Sequence, residues 1–186
     1  IFFKKTKIGI KSVNERINIL FAARNDPVKG GDLLIQAIEK LPNSIKNKIN
    51  VNFFGYQPKH RDISSIINFY NFIPHNKLIK EYIKTDICVI PSIFDNSPYT
   101  AHEAMALGKI LVVSNAGGIP EIIGNPECGY IFKSGNIIDL NLKIIDAIKL
   151  VLSGESRIMS QNAKKRKAKF GESEHNINHR LSLLKL

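Results

Sequence analysis

Little in this chain offers a short route to its function. It has two cysteines in 186 residues, Cys88 and Cys128. Two thiols make neither a disulfide framework nor a metal-ligand pattern, and nothing calls for an oxidising compartment. Cys88 lies inside the apolar run DICVIPS and reads as a buried strand thiol. No apolar run approaches the roughly 20 residues that a membrane-spanning helix needs. The opening, IFFKKTKIGIKS, lacks the apolar length and cleavage site of a signal peptide, and it has no initiator Met. It is expected to be an internal start, making the chain a fragment of a cytoplasmic protein, with a peripheral place on the inner membrane face as a variant. D-x-D, H-E-x-x-H and Cys/His clusters are missing, so neither a metal nor another cofactor is expected. The Walker loop and G-x-G-x-x-G are missing too, which removes support for ATP and NAD readings.

Acidic residues are outnumbered, 16 against 27 basic, for a formal net charge of +11. Three sources of such a surplus stand: lysine as the default surface residue of a chain rich in Ile, Lys and Asn, an anionic membrane surface, or nucleic acid. No nucleic-acid motif accompanies the charge, so nucleic acid is not an expected partner. The run Lys164, Lys165, Arg166, Lys167 and Lys169 reads as a solvated helix face or a peripheral contact with anionic lipid. At 44% hydrophobic residues, the chain has the material for one globular domain with an ordinary core.

Strand and helix signals alternate. Strands are expected at 17–23, 49–55, 66–73, 87–92, 110–114 and 129–132. The third is weakened by two Asn. Helices are expected at 32–41, 78–83, 98–107, 137–152 and 156–170, and a Gly/Pro turn with one possible helical turn at 116–124. Repeated βα units with continuous apolar strands predict an α/β fold: a Rossmann-like parallel sheet with helices on both faces. Ligands in such sheets sit beyond the carboxyl ends of the strands. Residues 1–16 read as a lead-in, 17–170 as the domain, and 171–186 as a tail or terminal helix.

The richest stretch is DNSPYTAHEAMALG, residues 95–108. Ser97 and Pro98 read as N-cap and first residue of a helix that Gly108 stops. The amides of Tyr99 and Thr100 then form a phosphate cradle at the helix N-terminus. Glu103 lies about 7–8 Å further along the axis at 1.5 Å per residue. That is the distance from a diphosphate to a ribose diol, and carboxylate oxygens suit vicinal hydroxyls. Asp95 stays in the loop, on the far side of the phosphate. The order suits a nucleotide sugar, against the plainer reading of an Asx turn and a surface carboxylate. His102 is expected to point elsewhere. In RNDPVKGG, Arg24, Lys29 and Gly30 suit a diphosphate, or are two solvated charges around a turn. Gly55 follows a strand. Gly117, Gly118 and Glu121 form G-G-I-P-E after another strand, where paired glycines permit a ligand's close approach or simply a tight turn.

Four segments taken together resemble the C-terminal, donor-binding domain of group 1 (family 4) retaining glycosyltransferases of the GT-B fold. R-x(4)-K-G is Arg24, Lys29 and Gly30. The strand-end P-S is Pro91-Ser92. E-x(7)-E followed by A-M-A-x-G is Asp95 and Glu103, then Ala104, Met105, Ala106 and Gly108. G-G-x-P-E is Gly117, Gly118, Pro120 and Glu121. The resemblance implies that Arg24 and Lys29 bind the diphosphate and stabilise its departure. It also implies that Glu103 holds the ribose hydroxyls and Asp95 a hydroxyl of the donor sugar. Asn96, Ser97, Tyr99 and Thr100 would line the donor. The implied reaction is hexosyl transfer from a nucleotide-diphosphate sugar to an acceptor hydroxyl, with retention and without a metal, in polysaccharide or lipopolysaccharide assembly. The partner would be the protein's own N-terminal acceptor domain, so this chain alone is expected to bind donor rather than turn it over. Asp95 departs from the pattern, being one methylene shorter than Glu. An epimerase-like GT-B relative and a non-catalytic nucleotide-sugar module remain as alternatives.

Overall fold

A computed structural model describes residues 15–58, 63–124 and 126–169. Its frame is six short strands: β1 (Ile17–Ala22), β2 (Ile49–Phe54), β3 (Ile67–Tyr70), β4 (Ile87–Ile90), β5 (Ile110–Ser114) and β6 (Tyr130–Phe132). All pair in parallel, in the order β3-β2-β1-β4-β5-β6. The helices are α1 (Gly31–Glu39), α2 (Asn43–Lys46), α3 (His75–Lys84), α4 (Tyr99–Ala106), α5 (Ile119–Ile123), α6 (Ile137–Leu152) and α7 (Ser156–Lys169). The expected α/β class, parallel sheet and two helical layers are therefore present.

The period of two along each strand divides the core. Ile17, Ile19 and Phe21 of β1, Ile87 and Val89 of β4, and Ile110 and Val112 of β5 pack with Leu34 and Ile38 of α1 and Ile144 and Ile148 of α6. On the other face Leu20, Cys88, Ile90, Leu111 and Val113 pack with Tyr82 of α3, Ala104 and Met105 of α4, and Ala163 of α7. Central strands are apolar on both faces because both are covered. The edge strand β3 tolerates its asparagine by pairing the Asn68 amide with Asn52 Oδ1 at 3.2 Å.

Several boundaries move. α1 ends at Glu39, before Pro42, and α2 starts directly after that proline. α3 starts at His75, three residues before the expected 78, because Pro74 is its N-cap. The proposed helical turn in 116–124 is α5. The expected lead-in, apart from 15 and 16, and the expected tail from 171 lie outside the described residues.

The Lys-rich α7 is not a uniformly solvated face. Arg166 donates to the carbonyls of Glu121 (2.6 Å) and Ile122 (3.3 Å) at the end of α5, and Lys167 is buried. Lys164 lies against Gly108. Lys165 and Lys169 are exposed. The helix therefore spends part of its charge in satisfying helix-end carbonyls.

Chain order turns round between β1 and β4. From β1 the chain steps outward to β3 and then returns to the other side of β1. The loops leaving β1 and β4 are thereby neighbours at the carboxyl edge, where such sheets open a crevice. These are the RNDPVKGG and DNSP loops.

Burial, the largest cause in each case, pushes the Tyr82 and Tyr56 phenols and the Cys88 thiol well above their ordinary values. Each folded pKa is raised, so the folded chain binds protons more tightly than the unfolded one. Stability is intact below the ordinary cysteine value of 9.0 and is lost as pH rises past it and past the tyrosine value of 10.0. The urea midpoint should hold steady from pH 7 to about 8.5 and fall by about pH 10.5. A level midpoint across that range would contradict these burials.

Candidate functional site

The β1–α1 loop is shaped by its own caps. Asp26 Oδ1 accepts from the Val28 amide at 3.0 Å and starts a single 3-10 turn, Pro27–Lys29, ended by Gly30 at φ +74°. This turn projects Lys29 towards the neighbouring loop, and Lys29 Nζ lies 2.6 Å from Asp95 Oδ2. The same loops are tied at the backbone, where the Ile93 amide donates to Val28 O at 2.8 Å. A Cβ on Gly30 would stand 2.0 Å from Pro91 O. Glycine is required there by both φ and contact.

The DNSP loop is gripped from the other side as well. A Cβ on Gly117 would stand 2.3 Å from Asp95 O, and one on Gly118 2.3 Å from Asn96 O. Ser114 Oγ donates to Ser92 O at 2.6 Å, and Ser134 Oγ donates to Ile93 O at 3.2 Å. The paired glycines therefore admit a neighbouring stretch of backbone, the DNSP loop itself. Gly55 works likewise, against Ala23 O beside Arg24.

The N-terminus of α4 differs from expectation. Pro98 is the N-cap, with β-region φ and ψ, and Tyr99 is the first helical residue. Ser97 does not cap; its hydroxyl sits 3.2 Å from Nε2 of His102. His102 accordingly reaches back over the first turn, as helical side chains lean toward the N-terminus, and does not point elsewhere. The C-terminus is as expected. Gly108 at φ +66° follows Leu107, with Gly108 N bonded to Met105 O (2.9 Å) and Lys109 N to Ala104 O (2.8 Å), the two bonds of a Schellman stop.

Glu103 is the fifth residue of α4, and its side chain is 7% exposed. Its Oε1 lies 2.6 Å from Nε2 of His75, the first residue of α3. Arg24 is exposed and makes no ion pair with a described residue. Asn96, Ser97 and Tyr99 are also exposed, and Thr100 is partly so. Glu121 is exposed on α5, and its carbonyl accepts from Arg166. The fold thus joins Lys29 to Asp95 and seats Gly117 and Gly118 behind them. Among the described residues, no hydrogen bond or ion pair joins Arg24, Gly55 or Glu121 to that pair.

This edge can hold an anion between cations and a helix N-terminus, with a nearly buried carboxylate beyond. The profile of the family described as glycosyl transferases group 1 matches residues 3–166. The chain belongs to the group 1 glycosyltransferases. An uncharacterised glycosyltransferase of Methanocaldococcus jannaschii is 32% identical over 126 residues, 64% of this chain and 32% of its own length. The chain spans about a third of the curated relatives it matches. The Anabaena HepE structure, in complex with UDP, superposes with a TM-score of 0.69 at 19% identity, covering 83% of this chain and 44% of that one. A C-terminal domain of a group 1 family glycosyltransferase from Francisella tularensis superposes with a TM-score of 0.68 at 24% identity, covering 83% of this chain and 86% of that domain. Among group 1 glycosyltransferases this chain therefore has the fold of the C-terminal half.

Sequence reading missed His75. The expected helix began at Leu78, which left His75 in a loop. The signal was available: His75, Ile79 and Tyr82 recur at i, i+4 and i+7, one helical stripe.

The glycine contacts make a direct test. Gly117→Ala combines positive φ (+52°) with the clash against Asp95 O, whereas Gly135→Ala has positive φ (+75°) and nothing within 4 Å. Gly135→Ala should cost about 1 kcal/mol, and Gly117→Ala about 1–3 kcal/mol more. Urea melts of the two variants measure the difference, and equal losses would remove the loop contact from the account.

Proposed function

We propose that this chain is the donor half of a retaining glycosyltransferase that moves a hexosyl group from a nucleotide diphosphate to an acceptor hydroxyl. The observation that carries the reading is the convergence, at the carboxyl edge of the sheet, of Lys29, Asp95 and the N-terminus of α4, with Glu103 buried one turn further in. Arg24 and Lys29 hold the diphosphate. The first amides of α4 add their dipoles to the same charge. Glu103 accepts from the ribose hydroxyls. Asp95, held by Lys29, faces the donor sugar, with Asn96, Ser97 and Thr100 beside it. Chemistry is then mostly positioning and stabilisation of the departing diphosphate by fixed cations, without a metal. UDP in the Anabaena structure supports a nucleotide ligand for this fold.

The acceptor, a glycan or glycolipid, is bound by an N-terminal domain of the full protein. Exposed Lys165 and Lys169 offer a peripheral contact with an anionic membrane. A non-catalytic nucleotide-sugar module or an epimerase-like relative would share this binding edge, and turnover by the full protein separates them from a transferase.

The test is thermal stability against UDP-, GDP- and ADP-sugars, with Glu103→Ala alongside. A ligand at 100 times its dissociation constant should stabilise by about 2.7 kcal/mol. One base should raise the melting temperature, and Glu103→Ala should abolish the rise. A rise that survives in Glu103→Ala would refute the ribose assignment. In the full protein, Lys29→Ala should lower kcat by about 10²–10³, the scale for losing one charge-stabilising donor. Unchanged kcat in a steady-state assay would remove Lys29 from the chemistry.

A further inference from the structure

Glu103 raises a physical question that its expected role does not answer. A carboxylate nine-tenths buried among Ala101, Ala104 and Met105 costs free energy unless it is hydrogen-bonded. α3 carries the groups that answer it. His75, Ile79 and Tyr82 lie on one stripe, and Ile79 and Tyr82 are buried in the same cluster as the small residues of α4. Packing of this stripe fixes where the helix begins, and His75 is its first residue. Its imidazole, 39% exposed, stands between solvent and the carboxylate, with Nε2 2.6 Å from Glu103 Oε1.

Among the described residues, the titratable groups near Glu103 and Cys88 include Tyr82 on α3 and Lys109 after α4. The Tyr82 phenol is fully buried beside the Glu103 carboxylate and is pushed up by burial first, with Cys88 and Glu103 adding to the shift. The Cys88 thiol is pushed up likewise, by burial and then by Glu103, with Lys109 opposing. Both stay neutral between pH 6 and 8, and Lys109 donates to Ile83 O at 2.9 Å.

We propose that His75 is a positioning residue for nucleotide binding: its Nε2 holds the Glu103 carboxylate in one rotamer, so that recognition of the ribose diol depends on His75. The inference rests on the ribose role assigned to Glu103 above. A hydrogen bond from a ring nitrogen to a carboxylate is short and charge-assisted, which suits it to fixing how the two oxygens are turned.

The test measures preference for the diol, not affinity as such. Calorimetry on the full-length protein compares the nucleoside diphosphate selected by the thermal panel, UDP in the first instance, with its 2′,3′-dideoxy counterpart. The two share their phosphates, so phosphate titration cancels in the ratio. Wild type should prefer the ribose form about tenfold or more, the scale of hydrogen bonds to a charged group. Glu103→Ala should abolish this preference. His75→Ala should reduce it at least about threefold, at an unchanged affinity for the dideoxy form, as expected when a charge-assisted bond is lost but the phosphate contacts remain. His75→Gln, which keeps a side-chain donor, should restore most of the preference.

His75→Ala with the wild-type preference, while Glu103→Ala has lost it, overturns the role of His75 and leaves the ribose contact standing. Glu103→Ala with the wild-type preference overturns both. Should His75→Ala fail to fold, His75→Leu, of similar bulk and without a donor, decides: the wild-type preference in that variant also overturns the proposal.

Discussion

Everything at the carboxyl edge depends on how closely one loop is held by its neighbours. The segment from Pro91 to Pro98 has main-chain carbonyls pressed against Gly30 on one side and Gly117 and Gly118 on the other, at separations that leave no room for a Cβ. Serine hydroxyls from β5 and from the loop after β6 reach its carbonyls at Ser92 and Ile93. Contacts of this kind are short, made by main chain, and hard to deform. They convert a stretch with no regular structure into a fixed platform, and α4 starts from it. The side chains that would meet a ligand are only as well placed as this platform. Glycine acts here as an absence of volume: Gly30 after β1 and Gly117 and Gly118 after β5 all admit the loop after β4, and together they bring the three loops into register.

Much of this was legible in the sequence. Two residues per strand period and continuous apolar runs gave the parallel sheet, because burial on both faces leaves no other pattern. Gly108 announced its stop, because positive φ after a helix has few other occupants. What escaped was decided by contact at a distance. Ser97 looked like a cap from its place beside Pro98, but His102 reaches back to its hydroxyl and Pro98 itself takes the cap position. His75 carried no apolar side chain to extend the period of its helix, so the helix appeared to begin at Leu78. The Lys-rich run looked uniformly wet, since nothing in its local composition says that Arg166 will meet the orphan carbonyls of α5. Glycine pairs showed that something comes close. They did not say that it would be the chain's own backbone.

The placement of charge follows a common logic on both layers of the site. Lys29 meets Asp95, and His75 meets Glu103. Each carboxylate is matched by a cationic or potentially cationic group contributed by a different loop or helix. The first pair belongs to the two loops that the strand order brings together, and solvent reaches both of its side chains. The second is set by packing of α3 against α4: its carboxylate is nearly buried, while its imidazole is the most exposed of the four side chains. Solvent therefore screens both contacts, the second from the imidazole side alone.

That difference bears on the aspartate at position 95, one methylene shorter than the glutamate of the family pattern. A shorter carboxylate reaches less far into the crevice, and its geometry here turns it to Lys29 at 2.6 Å. Without a ligand, the pair neutralises two charges that would otherwise repel or attract unspecifically at the mouth of a strongly basic domain. Under the proposed donor role, an incoming diphosphate would bring more negative charge than Asp95 holds, and Lys29 would bridge both. The carboxylate would then be oriented by the same cation that meets the phosphate. On this argument the substitution shifts work from side-chain length to the Lys29 contact: reach that glutamate would supply by itself is supplied by a lysine fixed on the adjacent loop. The condition for such an exchange is that the two loops be rigidly spaced, and the backbone bond from Ile93 to Val28, with Gly30 set against Pro91, meets that condition.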